Sequence, residues 1–245
     1  RIRQITNMKI RSIRALEILD SRGNPTVRSF VELHSGVVGI ASVPGGASTG
    51  SHEAFSLTDG DKKRYHGKGV LKSVHIVENQ LNDLLRGKDI SDLQEIDKTM
   101  IECDGTPDKS RFGANSLLAV SLACACAYAK YMKHPLWKIL NEIFFKSIKP
   151  SLPTPMSNVI NGGKHADWSF PIQEFMIIPL IRSFSRNIRC VYEVFQTLRT
   201  ILAQEGYSTL VGDDARDQGQ LLSRRAYTSH IRVGSMRRFQ GILGI

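Results

Sequence analysis

The chain has 245 residues, 41% of them hydrophobic and 23% charged, with a formal net charge of +10. This is an ordinary globular composition, long enough for one large domain or two smaller ones, and no run of about 18 apolar residues offers a membrane span. The excess charge sits at the ends: residues 215–245 carry six arginines against one aspartate, and residues 1–7 add Arg1 and Arg3. The main body therefore lacks the patterned basic face that nucleic-acid binding uses, and no nucleic-acid or membrane partner is expected.

Cys103, Cys124, Cys126 and Cys190 form no CxxC pair and no cluster with histidine, so they read as small buried hydrophobes in a reducing compartment. The opening RIRQITNMKI lacks the apolar core of a signal peptide, and Met8 reads as a start. A cytoplasmic location is the expectation.

From Ala15 the text is strand-like: ALEILDS, the turn RGNP, then TVRSFVELHSG and VVGIASV. Gly23–Asn24–Pro25 and Ser35–Gly36 supply turn chemistry, predicting a three-stranded antiparallel meander. Three strands with one apolar face need a cover. Helices supply it. Val70–Leu85 has helical apolar spacing and ends before Gly87. Ser91 with Gln94 has the form of a capping box before LQEIDKTMIE. Ala114–Met132 is apolar almost all round, as a buried helix is, and stops before Pro135.

Lys149–Pro155 holds three prolines in seven residues and marks a domain boundary. Two short strands follow around Asn158–Pro179 (NVINGGKHADWSFPIQEFMIIP), then a helix over Arg186–Gln204 with Ile188, Val191, Tyr192, Phe195, Leu198 and Leu202 on one side. Thr209–Asp213 reads as a short strand or turn. Beyond Asp214 neither alternation nor helical period survives, and residues 215–245 read as sequence in the wrong frame.

Four places carry candidate chemistry. Pro44–Gly50 (PGGASTG) is a small-residue loop that offers Ser48 or Thr49 to a metal or phosphate; taken alone it reads first as a flexible turn. It is not a P-loop, because the GK[ST] ending is missing. His165 follows the paired glycines of NGGKH, and alone would be an exposed loop histidine. Gln173–Glu174 opens the next apolar run, where a buried carboxylate beside a histidine can act as acid or base; a solvated strand-end carboxylate is the equal alternative. Gly212–Asp214 (GDD) could bind a metal or move a proton, although adjacent carboxylates usually just cap a turn.

Taken together, these stretches resemble the enolase family. The residues that carry the likeness are ILDSRGNPTV (18–27), VPGGASTG (43–50), DGDKKRYHGKGVLKSV (59–74), DGTPDKSRFGAN (104–115), NVINGGKHA (158–166), IQEFMIIP (172–179) and VGD (211–213). Each is weak alone, but the ordered set is specific. The resemblance implies an α+β N-terminal cap, a three-stranded antiparallel meander plus helices, over 8–148. After it come the start of an enolase-type TIM (β/α) barrel over 149–214, incomplete, and a non-family tail over 215–245.

It also implies a lyase that dehydrates 2-phosphoglycerate to phosphoenolpyruvate in glycolysis, with Mg2+ stabilising an enediolate formed by a lysine base. By position, Ser48 matches the loop ligand of the second Mg2+, His165 and Gln173 match substrate-binding residues, and Glu174 matches the residue that binds substrate and assists loss of hydroxide. Asp214 falls where the family has its proton-donor glutamate.

Departures accompany the match. Asp214 is one methylene shorter than glutamate, Ala215–Arg216 replace the glycines that should follow, and ADWSFP (166–171) inserts a tryptophan and a proline before Gln173. A TIM-type barrel takes about 250 residues, and 95 follow Pro150. No segment matches the three carboxylates of the first Mg2+, the lysine base or the phosphate-clamping arginine. A frameshift or gene-model error near Asp214, and a catalytically inactive chain, are therefore expected. Intact family members are usually dimers or larger, so the resemblance implies a homodimer or larger.

Overall fold

The computed structural model describes residues 7–45, 50, 52–146, 148–161 and 174–206. The chain divides into two compact units, 1–149 and 150–245.

In the first unit, β1 (Ile10–Leu19), β2 (Pro25–Leu33) and β3 (Val38–Ser42) form an antiparallel meander in the order β1-β2-β3. The first turn closes because the Asp20 carboxylate accepts from the Arg22 and Asn24 amides at 2.8 and 2.9 Å, while Gly23 takes a φ of +73°. Register places Ile13 beside Val31 and Ala15 beside Ser29, so the period-two pattern sends these four to one buried face. Arg14, Leu16 and Arg28 point to the other, exposed side.

Helix α1 covers 71–85, running as Leu71–Ile76, widening into a π turn at Val77–Leu81 and closing at Asn82–Leu85. Its inward residues, Ser73, Val77, Leu81 and Leu85, recur every fourth position. In a regular α-helix that spacing drifts about 40° per step, and the wider π turn takes up the drift.

The outer edge of β1 meets polar groups along its length. The Ile13 amide donates to Asn82 Oδ1 at 2.7 Å and the Ala15 amide to Glu78 Oε1 at 3.3 Å, while the Ile10 amide donates to the Lys88 carbonyl at 2.9 Å. A strand edge satisfied in this way is closed to further pairing.

Helix α2 (Leu93–Asp104) is capped by Asp92, whose side chain accepts from the Glu95 amide at 3.0 Å, and it stops at Gly105 in the left-handed region. The capping box predicted at Ser91 does not form: the Ser91 amide instead donates to Asp89. Helix α3 (Ala114–Tyr131) lies against β2 and β3, and Val120, Ala123, Cys124 and Ala127 are fully buried. Gly39 of β3 sits so close that a Cβ there would strike the Ala123 carbonyl and the Ala127 amide.

Helix α4 (Leu136–Phe144) is absent from the sequence reading. Its Ile139 is buried, and Leu140 and Ile143 pack on the core.

In the second unit, β4 (Ser157–Asn161) pairs antiparallel with β5 (Glu174–Ile177), with an irregularity between Asn158 and Ile160. Helix α5 (Phe184–Gln204) begins two residues before the predicted start. Its buried residue is polar: Asn187 Oδ1 accepts from the Ile181 amide at 2.9 Å, tying the helix to the segment before it.

Candidate functional site

Glu174 is the first residue of β5 and stands opposite Asn161 in the register, with its side chain half-buried. The hairpin thus delivers a carboxylate at one end of a two-stranded pair, which is the placement barrel active sites use. Ser48, His165, Gln173 and Asp214 lie outside the described residues. Of the five sequence-predicted residues, Glu174 is the one that falls among the described residues.

The segments on either side of 46–49 are well held. Thr26 Oγ1 donates to the Val43 carbonyl at 2.8 Å, and the Val43 amide donates to the Val27 carbonyl at 2.9 Å. Beyond the loop, the Gly50 amide donates to Glu53 Oε2 at 2.6 Å, the Phe55 amide donates to the Asp108 carbonyl at 2.7 Å, and the Ala114 amide donates to the Phe55 carbonyl at 2.7 Å.

Asn115 then clamps Leu57 from both sides. Its Oδ1 accepts from the Leu57 amide, and its Nδ2 donates to the Leu57 carbonyl and to Ser73 Oγ, each at 3.0 Å. Asn115, Ser73 and Ser116 are all buried, so these bonds are made away from water, where losing one is costly.

The motif DGDKKRYHGKG carries a charge junction that sequence reasoning matched only as text. Arg64 donates to both Glu17 and Asp59. Glu17 also accepts from the Val70 amide at 2.7 Å, and Asp59 accepts from the Leu71 and Lys72 amides at 3.1 and 2.8 Å. These last three amides open α1, whose first N–H groups have no partner within the helix. The hydrogen bond to Glu17 holds the Arg64 proton more tightly still. No local signal announces this junction, because Asp59 lies well before the helix start and reaches the Leu71 and Lys72 amides through the fold of the intervening loop.

In DGTPDKSRFGAN, Asp104 is buried and accepts from the Thr106 hydroxyl, the Thr106 amide at 3.0 Å and the Phe112 amide at 2.8 Å. Burial alone would raise this carboxyl, but the hydrogen bonds outweigh it and hold the group below the usual carboxylate range. Asp97 shows the opposite balance: burial pushes it up against a hydrogen bond from Ser121. Burial, then the nearby Asp97 charge, pushes the Cys124 thiol far up, which makes it an inert packing group rather than a nucleophile.

Among the described residues, no group of three or more His, Cys, Asp or Glu is placed to hold a metal ion. No helix among them is long and apolar enough to cross a membrane.

A family model described as the enolase N-terminal domain matches residues 10–140, more than half of the chain. A second, described as the enolase C-terminal TIM barrel domain, matches residues 149–225 and so runs beyond Asp214. The architecture is accordingly a three-stranded sheet with helices followed by part of an enolase-type barrel domain, as the resemblance implied. Both matches support an enolase-superfamily lyase.

Proposed function

Because the chain belongs to the enolase family, we propose that its activity is that of phosphopyruvate hydratase, the Mg2+-dependent dehydration of 2-phosphoglycerate to phosphoenolpyruvate. The observation that carries the reading is Glu174, the family's substrate-side carboxylate by position, standing half-buried at the head of β5 in the matched barrel span. A carboxylate fixed on a strand end can hold or release a proton at the departing hydroxyl without first being ordered.

Ser48 and Asp214 fall outside the described residues, and among those described no group of three or more His, Cys, Asp or Glu is placed to hold the metal. When bound, Mg2+ would stabilise the enediolate charge. His165 and Gln173 would contact substrate from the same stretch that delivers Glu174. The reading makes the protein a cytoplasmic glycolytic enzyme that assembles as a homodimer or larger, a state that light scattering measures.

A second reading follows from the residues themselves: no segment of the 245 matches the family's lysine base, its first-metal carboxylates or its phosphate-clamping arginine. On this reading the chain is catalytically inactive, since positioning cannot replace a missing base. One assay separates the two. Phosphoenolpyruvate absorbance is followed with 2-phosphoglycerate and Mg2+ present. Turnover that is lost in Glu174→Gln establishes the first reading, and a folded chain that makes no product establishes the second.

A further inference from the structure

The loop over 59–69 leads into α1 and closes on itself at its base. The Asp59 amide donates to the Gly69 carbonyl at 2.7 Å, and the Gly60 amide to the Gly67 carbonyl at 3.0 Å. At its tip the backbone stays in the left-handed region for three residues running, with φ of +48° at Tyr65, +53° at His66 and +92° at Gly67. Glycine adopts that conformation freely, but tyrosine and histidine do not. Each of the two weakens a local closing equilibrium by about five- to thirtyfold. No burial at the tip offsets this, since Asp61, Lys62, Lys63, Tyr65, His66 and Lys68 are all exposed.

What holds the strained loop shut is polar, and it converges on one side chain. Arg64, the residue before the strained pair, spans Glu17 on β1 and Asp59 at the base of the loop. Those two carboxylate side chains are 8% and 11% exposed. They also accept from the Val70, Leu71 and Lys72 amides, and Lys72 Nζ donates back to the Asp59 carbonyl at 2.8 Å. The ion pairs that shut the loop and the caps that begin α1 therefore share their acceptors, so losing one set loosens the other. A segment with strain at its tip, exposed side chains and one convergent polar hold opens at a lower free energy than the core beneath it. We propose that 59–72 is a strained latch, which opens as one unit while the meander and α3 stay folded. Opening uncaps α1 and bares the carboxylates of Glu17 and Asp59. The inference is independent of the proposed reaction.

The test is amide hydrogen exchange of the full chain, read residue by residue. The Gly60, Gly67, Leu71 and Lys72 amides should share one opening equilibrium, with protection at least about tenfold below that of Val120, Ala123 and Ala127 in α3. Two substitutions of opposite sign isolate the strain. His66→Gly relieves one left-handed residue and should raise protection at all four amides by about two- to fivefold, the part of the strain that remains after the extra freedom of glycine in the open state. Gly67→Ala adds a third strained residue. A Cβ there meets the Gly60 carbonyl at an ordinary 3.7 Å, so strain acts alone and protection should fall by about fivefold or more. Arg64→Leu should abolish protection at Leu71 and Lys72 together with Gly60, and circular dichroism shows whether that variant folds. Protection in the loop equal to that of α3 would overturn the proposal. So would effects of His66→Gly and Gly67→Ala that stop short of Leu71 and Lys72, because the loop and the start of α1 would then not open as one.

Discussion

Ile96 on α2 and Ile188 on α5 are the same side chain on two amphipathic helices, yet the first is fully buried and the second is 45% exposed. The contrast extends to their surroundings. In the first unit a sheet face and four helices close a continuous core from Ile10 to Ala127. In the second, the described residues bury little beyond Val159 and Asn187, and Tyr192 on α5 is 62% exposed. A sheet with a helical cover satisfies its own apolar face, whereas a hairpin and one helix cannot. The first unit thus carries a closed core, whereas the described residues of the second do not form one.

Substitutions can widen or erase that contrast. The largest expected effect is Ile96→Ala, which should cost the first unit about 2–5 kcal/mol in urea unfolding through lost burial and a residual cavity. Asp104→Ala should follow at about 3 kcal/mol, because the Phe112 and Thr106 amides would lose their buried acceptor. Its pH dependence has a definite sign. The folded-state carboxyl lies below its usual range, so the stabilisation is complete above the unfolded value of about 4 and is lost as pH falls through the folded one. The gap between wild type and Asp104→Asn should therefore close on acidification, and an unchanged gap at low pH would refute the assignment.

Gly39→Ala should cost about 2 kcal/mol by pushing β3 off α3, with slowed amides of β2 and α3 exchanging faster as the readout. The smallest effect belongs to the second unit: Ile188→Ala should change stability by about 0.5 kcal/mol or less. If it costs as much as Ile96→Ala, the second unit has a core of its own and the contrast fails.

The meander was legible because strand-like runs are separated by turn chemistry at Gly23–Asn24–Pro25 and Ser35–Gly36. Helix α3 was legible because its apolar run ends at a proline. Helix α4 was not, since Trp137 and Phe144 on the outer side blur the inner stripe of Ile139, Leu140 and Ile143. The cap of α2 was misplaced by one residue because Ser91 and Asp92 are both competent caps, and tertiary fit chooses between them. The π turn in α1 has no local signature; it follows from how the helix must lie to reach β1. Of the candidate site, the chemistry of each residue type and the order of the motifs were legible. The Asn161–Glu174 register and the rest of the geometry were not, because they depend on how strands pair rather than on the residues of either one.

The notch at Gly39 also sets an order of events during synthesis. The strand that bears it leaves the ribosome long before Ala127, the residue that must fill it. At translation rates of about 5–20 residues per second the interval is about 5–20 seconds. Throughout it the inner face of the meander is an apolar surface awaiting its lid. Nascent chains arrested before α3 should therefore be protease-sensitive across β1–β3, and those arrested well after Tyr131 should be resistant. Equal resistance at both lengths would mean that the sheet finds another cover first.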